Sequence, residues 1–128
     1  MMTFWMAVGL LVAFPGPSAE ATPPGHRVDL GIEGAALFVP EGYRPGPCGA
    51  VDVVLHLHGA PSVVEPALIE ARWPAVLITV NRKGLSRVYA EPFSDPTLFP
   101  RLLEAARSAL KDRHVADDPR IGRVYVKL

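Results

Sequence analysis

The sequence contains almost no cysteine. Its single cysteine, Cys48, lies in the proline- and glycine-rich stretch Pro40–Gly49. One thiol excludes an intrachain disulfide, and the sequence has no Cys-x-x-Cys pair or Cys/His cluster of the kind that holds structural zinc. We interpret Cys48 as an incidental loop thiol, because no histidine or arginine stands directly beside it to activate it.

An excess of charge of either sign is also lacking. The chain of 128 residues has 13 basic and 13 acidic side chains and a pI near 6.9. This balance does not predict nucleic acid, an anionic membrane surface or a polyanionic substrate as a partner. With 49% hydrophobic and 20% charged residues, the chain has the composition of one globular domain with its own core.

Long hydrophobic runs are absent, and the apolar segment Phe4–Phe14 is too short to cross a bilayer comfortably, which takes about 20 residues. Pro15 and Pro17 interrupt it, and Ala19–Ala21 then gives a small-x-small cleavage site. This layout predicts a signal peptide over residues 1–21, a mature chain 22–128, secretion or periplasmic export, and no stable membrane anchor. Because no lysine or arginine precedes the apolar segment, an uncleaved anchor and an internal apolar segment stay open as alternatives.

The stretch Val51–Gly59 (VDVVLHLHG) is the most informative part of the chain. Its β-branched and aliphatic residues predict a strand buried on both faces, which ends at a glycine turn. Ligands of open parallel sheets bind just beyond the carboxyl ends of strands. His58, Gly59 and Ala60 are therefore the candidate site residues.

The remaining elements alternate between strands and helices. Glycine at Gly34 favours a hairpin turn, and strands and helices are then expected in the order β-β-β-α-β-α-β. The predicted segments besides the central strand are strands Arg27–Ile32, Ala35–Val39, Ala75–Val80 and Ile121–Leu128, and helices of about Pro66–Arg72 and Thr97–Arg113. The fold class is therefore α/β, with an antiparallel lead-in hairpin followed by parallel strands and crossover helices.

Two local patterns refine the helices. Ser62 and Glu65 have the spacing of a capping box, although Pro66 competes with that interpretation because proline prefers the first helical position. The second helix has an apolar stripe that predicts a core-facing side. Its members are Leu98, Leu102, Ala106 and Leu110, with Phe99 and Leu103 widening it.

These segments together resemble the front half of an α/β-hydrolase, most closely the secreted esterase and polyester-depolymerase branch. The resemblance rests on FVPEGY (38–43), VDVVLHLHG (51–59), AVLITVN (75–81) and IGRVYV (121–126). It implies a three-layer α/β/α sandwich, a serine esterase-like activity on small or polymeric esters, and no cofactor or metal. It also implies an oxyanion hole at Gly59 and Ala60, a supporting role for His58, and a cleft bordered by Asn81 and Tyr89.

The chain departs from that family at the nucleophile. The family carries its serine in a Gly-x-Ser-x-Gly elbow after the strand that corresponds to Ile121–Leu128, with the acid and histidine later in the chain. None of the five serines here has glycine two residues to each side; they are Ser18, Ser62, Ser86, Ser94 and Ser108. We therefore expect a truncated, amino-terminal portion of such a domain, which is inactive by itself.

Two other hypotheses use the same residues differently. The chain is, in the first, a non-catalytic secreted fragment or binding module, whose last strand forms an exposed edge and supports self-association. In the second, His56 and His58 form a His-x-His pair on one face of a strand and begin the site of a metal-dependent hydrolase. A catalytic metal needs at least a third ligand, and His114 is the one histidine further along the chain.

Overall fold

The computed structural model describes residues 24–82 and 94–127 of the chain. In this part, five strands and two α-helices follow one another in the predicted order. The strands are β1 (Gly25–Asp29), β2 (Ala35–Pro40), β3 (Ala50–Leu57), β4 (Val76–Val80) and β5 (Arg120–Lys127). The helices are α1 (Pro61–Glu70) and α2 (Leu98–Asp112), and a short 3-10 turn, Pro47–Gly49, precedes β3.

The five strands form one mixed sheet in the order β1-β2-β4-β3-β5. β1 and β2 form the predicted antiparallel hairpin, and β2 is also antiparallel to β4. β3 runs parallel to both of its neighbours, β4 and β5. The chain moves from β3 to β4 in one direction and then returns past β3 to β5. Right-handed connections place the helices of two such opposed crossovers on opposite faces of the sheet.

Alternation along the buried strands divides the core into two layers. On one face, Val53 and Leu55 of β3 pack with the apolar stripe of α2, which includes Leu102 and Leu110. On the other face, Val54 packs with Leu68 of α1 and with residues of β2 and β4. The sheet therefore lies between α1 and α2 as the middle of three layers, and both helices are held by their apolar sides.

A β-bulge changes the faces of β5 halfway along the strand. Gly122 and Arg123 lie together opposite Asp52, so the register shifts by one residue between Val51 and Val53 of the partner strand. The backbone N–H of Arg123 donates to Asp52 Oδ1 at 3.0 Å. Because of the extra residue, Ile121 and Val124 pack on the same core cluster although they are three residues apart.

The predicted α/β class and the hairpin are confirmed, while some details of the helices were wrong. α1 begins at Pro61 and not near Pro66, which lies inside it, and Ser62 makes no capping bond because Ala60 occupies the N-cap. Phe99 is 37% exposed, so it does not belong to the core stripe of α2. Leu103 is partly buried and does widen that stripe.

The predicted signal peptide, residues 1–21, lies outside the described residues. Among the residues that are described, none belongs to a helix with both the length and the apolar character needed to cross a membrane.

Candidate functional site

The candidate site is a crevice at the carboxyl ends of β3 and β4. The chain leaves β3 toward α1 on one face, and α2, the next described helix after β4, lies on the other face. Adjacent parallel strands whose connections diverge in this way leave an opening between their carboxyl ends. His58, Gly59 and Ala60 follow β3 at this opening, and Asn81 follows β4.

Backbone hydrogen bonds fix the two sides of the crevice. The N–H of His58 donates to the carbonyl of Val80 at 3.0 Å, which ties the loop after β3 to the end of β4. The N–H of Asn81 donates to the carbonyl of Gly34 at 2.9 Å, which ties the end of β4 to the β1–β2 turn. Gly34 has a φ of +74°, and a Cβ there would lie 2.6 Å from the Asn81 carbonyl oxygen, so glycine is required at this turn.

His58 turns the chain out of the strand. Its φ is +63°, in the left-handed region that non-glycine residues adopt uncommonly and histidine more often than most. Since β3 ends at Leu57, the alternation of side chains does not extend to His58. Backbone strain of this kind is found where surrounding structure holds it, frequently at functional sites.

Gly59 packs against the side chains of β3 and α1. A Cβ at this position would meet His56 Nδ1 first and would lie 2.6 Å from His56 Cε1 and 2.7 Å from Val64 Cγ2. Those distances are too short for any side chain. Gly59 is also buried, so the absence of a side chain lets the backbone pass between the imidazole of His56 and the first turns of α1.

Ala60 is the N-cap of α1, with φ −68° and ψ 130°. Its carbonyl accepts hydrogen bonds from the N–H groups of Val63 at 2.9 Å and Val64 at 3.1 Å. Pro61 occupies the first helical position, where a missing N–H has no consequence. The amino-terminal end of the helix dipole therefore lies at the crevice and favours negative charge there.

The structure brings together four of the five residues that the sequence assigned to the site. His58, Gly59 and Ala60 are consecutive at the end of β3, and Asn81 is exposed at the end of the adjacent β4. The fifth, Tyr89, lies outside the described residues. Ser62, in the first turn of α1, is exposed and follows Pro61 directly.

The predicted His-x-His arrangement on a single strand face was wrong. His56 belongs to β3, whereas His58 lies beyond its end with left-handed backbone. The Nδ1 atom of His56 is buried and has no hydrogen-bond partner within the described residues. Across residues 24–82 and 94–127, no three His, Cys, Asp or Glu side chains come close enough to hold a metal ion.

An ion pair beneath the hairpin was not anticipated from the sequence. Arg27 of β1 donates two hydrogen bonds to Glu65 of α1, from Nε to Oε1 at 2.7 Å and from Nη2 to Oε2 at 2.6 Å. Glu65 is 1% exposed, and the hydrogen bond from its carboxylate raises the pKa of Arg27. The spacing of Ser62 and Glu65 had suggested a capping role, and no local pattern links Glu65 to a residue 38 positions earlier.

The described groups with shifted pKa values lie away from the crevice. Burial raises the pKa of Tyr43, and the negative charge of Asp52 adds to the effect. Both residues lie near the amino-terminal end of β3, at the opposite edge of the sheet from Gly59. The chemical character of the crevice therefore comes from its backbone groups and from the end of α1.

No protein-family model matches the chain, and no curated protein or solved structure matches it either. The class that the fold itself defines is α/β, with a partly parallel five-stranded sheet and a helix on each face.

Proposed function

We propose that this chain supplies the oxyanion-binding part of a secreted or periplasmic serine esterase of the α/β-hydrolase type. The observation that carries the proposal is the geometry of Gly59 and Ala60. They follow a central parallel strand, lie at the amino-terminal end of α1, and are held by contacts that exclude any side chain at Gly59. The signal-peptide pattern of residues 1–21 supports export.

The proposed chemistry is acyl transfer from an ester. A nucleophile attacks the ester carbonyl, and negative charge develops on the carbonyl oxygen in the transition state. Backbone N–H groups after β3, that of Ala60 above all, would donate to this oxygen, and the dipole of α1 would add to the stabilisation. Rigid backbone donors suit this role because they need no rearrangement when the charge forms. The reaction uses no cofactor.

The nucleophile is not part of the proposal for these 128 residues. Since the sequence contains no Gly-x-Ser-x-Gly, we expect no covalent labelling by a fluorophosphonate probe and no release of nitrophenol from a short-chain nitrophenyl ester. Intact mass after incubation with the probe gives the result. Stoichiometric labelling of Ser62, the described serine nearest the crevice in sequence, would contradict this expectation and make α1 the source of the nucleophile.

The oxyanion role is tested in the product of the complete reading frame. Sequencing the DNA beyond the Leu128 codon is expected to reveal a Gly-x-Ser-x-Gly within about ten codons. In that product, Ala60→Pro removes the backbone N–H while keeping a φ that proline adopts, since Ala60 has a φ of −68°. We expect kcat to fall by about 10²- to 10³-fold with little change in KM.

Ala60→Ser is the matched control, because serine keeps the backbone N–H and is accepted at an N-cap. Its kcat should stay close to that of the unchanged enzyme. Equal kcat values for the proline and serine variants would remove Ala60 from the proposed oxyanion site, and a frame without any serine elbow would remove the catalytic proposal as a whole.

A second candidate function is a non-catalytic binding module, and the position of β5 favours it. β5 lies at the end of the sheet and pairs with β3 on one side. Its outer N–H and C=O groups are a template for another strand. Light scattering of the purified chain separates the two functions, because a binding module would associate through this edge without any serine reactivity.

A further inference from the structure

The face of the sheet that carries α1 is wider than one helix. Five strands spaced by about 4.8 Å span about 19 Å between the outer strands, whereas a helix with its side chains is about 10 Å across. α1 is the helix that the described residues place on this face. About half of the face therefore remains without a helical layer.

The ion pair and the core determine which half α1 covers. Glu65 is bound to Arg27 of β1, at the outer edge of the hairpin. Leu68 packs with Phe38 of β2 and Leu77 of β4. Both attachments draw α1 toward the β1–β2–β4 half, so the half formed by β3 and β5 stays open.

A cleft of about 290 Å³ occupies this open half. We call it the α1–β5 cleft. Val54 and His56 of β3 form its floor, and Lys127 of β5 borders it. The wall on the α1 side consists of Val63, Val64, Ala67, Leu68 and Ala71, and Trp73 and Leu77 complete the lining.

The wall is an apolar ridge that runs along the whole of α1. Val63, Ala67 and Ala71 recur at intervals of four residues and are all exposed, Val63 by 69%. From Val63 to Ala71 the ridge extends about 12 Å, at 1.5 Å for each residue. Its two alanines would allow the axis of another helix to approach within the usual 8–10 Å.

Trp73 and the charged residue give the cleft its polarity. Trp73 contacts Tyr125 of β5 edge to face, with 4.8 Å between ring centroids, and Lys127 Nζ lies 5.9 Å from the centroid of a Trp73 ring. Lys127 is charged and no acidic residue lines the cleft. An occupant with negative charge beside Lys127 is therefore favoured over a basic or neutral one.

His56 adds a polar contact on the floor. Its Nδ1 atom is sealed next to Gly59 and has no hydrogen-bond partner within the described residues. A buried N–H without an acceptor is unfavourable, so the neutral ring carries its proton on Nε2. This leaves Nε2–H as the imidazole donor for an occupant of the cleft.

We propose that the α1–β5 cleft docks an amphipathic helix of a partner protein, with acidic side chains next to Lys127. Such a helix would lie beside α1 over β3 and β5, place an apolar stripe against the Val63–Ala67–Ala71 ridge, and complete the helical layer on this face. The length of the ridge, the width of the uncovered half and the charge of its border all fit one helix. This inference does not depend on the esterase proposal.

The test uses the full chain labelled with ¹⁵N and two capped peptides of about sixteen residues, long enough to form helix in part. One peptide has a leucine stripe flanked by glutamates, and the other has lysine at every glutamate position. Addition of the acidic peptide should shift the amide signals of Val63 and Ala67 and the indole signal of Trp73, with no shifts along the exposed side of α2.

Variants identify the charge and the ridge separately. Lys127→Glu should weaken the acidic peptide at least tenfold and should strengthen the lysine peptide. Ala67→Glu should weaken the acidic peptide at least as much, whereas Ser108→Glu, an exposed helical position on α2, should leave its affinity unchanged. Circular dichroism of each variant verifies that the fold is retained.

Three outcomes would overturn the proposal. The first is no shift at the cleft with up to about 1 mM acidic peptide, which is weaker than specific docking of this kind. The second is equal binding of the two peptides, or binding that ignores Lys127→Glu. The third is a dimer of the chain in sedimentation that Ala67→Glu dissociates, which would identify a second copy of this chain as the occupant.

Discussion

At the scale of single residues, Gly59 has the least freedom to change. The space that its missing side chain leaves is filled by the ring of His56 and by Val64. Gly59→Ala should therefore destabilise the protein by about 1–3 kcal/mol, the usual range for forced overpacking. Urea unfolding followed by circular dichroism measures the change.

Gly46 offers a matched control for Gly59. Its φ is −73°, and a Cβ there would lie 3.5 Å from its nearest neighbour, the carbonyl oxygen of Ala50. Gly46→Ala should be neutral or stabilising by up to about 1 kcal/mol. In the Gly59→Ala/His56→Ala double variant, part of the destabilisation should disappear, and full additivity of the two changes would show that the contact is not the cause.

Asp95 supplies a pH-dependent contact before α2. The backbone N–H and the hydroxyl of Thr97 donate to Asp95 Oδ1 at 2.9 Å and 2.8 Å, and these bonds lower the pKa of Asp95. A lowered pKa means that the contact stabilises the fold above the unfolded value of about 3.9 and that the stabilisation is lost as the pH falls through the lower folded value. The carboxyl ¹³C signal of Asp95 should therefore titrate with a midpoint below about 3.9.

Thr97→Val separates the two donors of this contact, because it removes the hydroxyl and keeps the backbone N–H. The Asp95 midpoint should rise only part of the way toward its unfolded value. A midpoint that does not move would show that the hydroxyl makes no contribution.

At the scale of elements, the Arg27–Glu65 pair determines where α1 lies. Glu65→Gln leaves the guanidinium of Arg27 without its charged partner beneath the helix. Because Arg27 is about half-exposed and can be hydrated again, we expect a loss of about 1–3 kcal/mol, below that of a fully buried pair. Urea unfolding provides the value.

The chain contains a second pair with the same geometry at the surface. Arg107 of α2 donates from Nε and Nη2 to Glu104 at 2.9 Å and 2.7 Å, and both residues are solvent-accessible. Glu104→Gln should change stability by less than about 0.5 kcal/mol. Similar losses for Glu65→Gln and Glu104→Gln would mean that burial does not distinguish the two pairs.

The apolar stripe of α2 attaches that helix to the sheet. Leu102 is 1% exposed and belongs to the core with Val53 and Leu55 of β3. Leu102→Ala should destabilise the protein by about 2–5 kcal/mol through lost burial and the cavity that remains. Phe99→Ala, at a partly exposed position one turn earlier, should change stability by less than about 1 kcal/mol. Thermal unfolding of both variants ranks them, and the reverse order would contradict the packing described for α2.

At the scale of the whole molecule, the β5 edge should make association depend on salt. β5 carries Arg120, Arg123 and Lys127 and no acidic residue, so two such edges repel each other at low ionic strength. Val126, 56% exposed, is an apolar contact that becomes effective once that repulsion is screened. Light scattering should therefore show more association in about 0.5 M salt than in about 0.02 M salt.

Val126→Lys should suppress this association, because a lysine on an edge strand opposes pairing. Val63→Lys, an equally exposed apolar position away from the edge, should not. If Val63→Lys is the variant that suppresses association, the contact runs through α1 and not through β5.

The course of the chain could be predicted from sequence to a large extent, because it rests on local patterns. Val51–Leu57 and Val76–Val80 are short, apolar and flanked by turn residues, and the stripe of α2 repeats with helical period. The start of α1 was missed because Pro61 and Pro66 are both acceptable first residues, and the choice between them depends on contacts of Gly59 and Glu65 with distant parts of the chain.

The candidate site divides in the same way. The position of His58, Gly59 and Ala60 after a buried strand follows from the sequence. The left-handed backbone of His58, the contact of Gly59 with His56 and the open half beside α1 could not be predicted, because each depends on how separate segments meet in three dimensions.

The bulge at Gly122 and Arg123 makes β5 a segment in which parity matters. Up to Ile121, odd-numbered residues face α2, and after the bulge the even-numbered Val124 and Val126 face that side. Deletion of Gly122 alone would exchange the two faces of everything that follows, placing Tyr125 and Lys127 against the α2 side. A deletion of two residues within the strand would preserve the faces. Insertions and deletions in this segment should therefore be tolerated in twos and rejected singly.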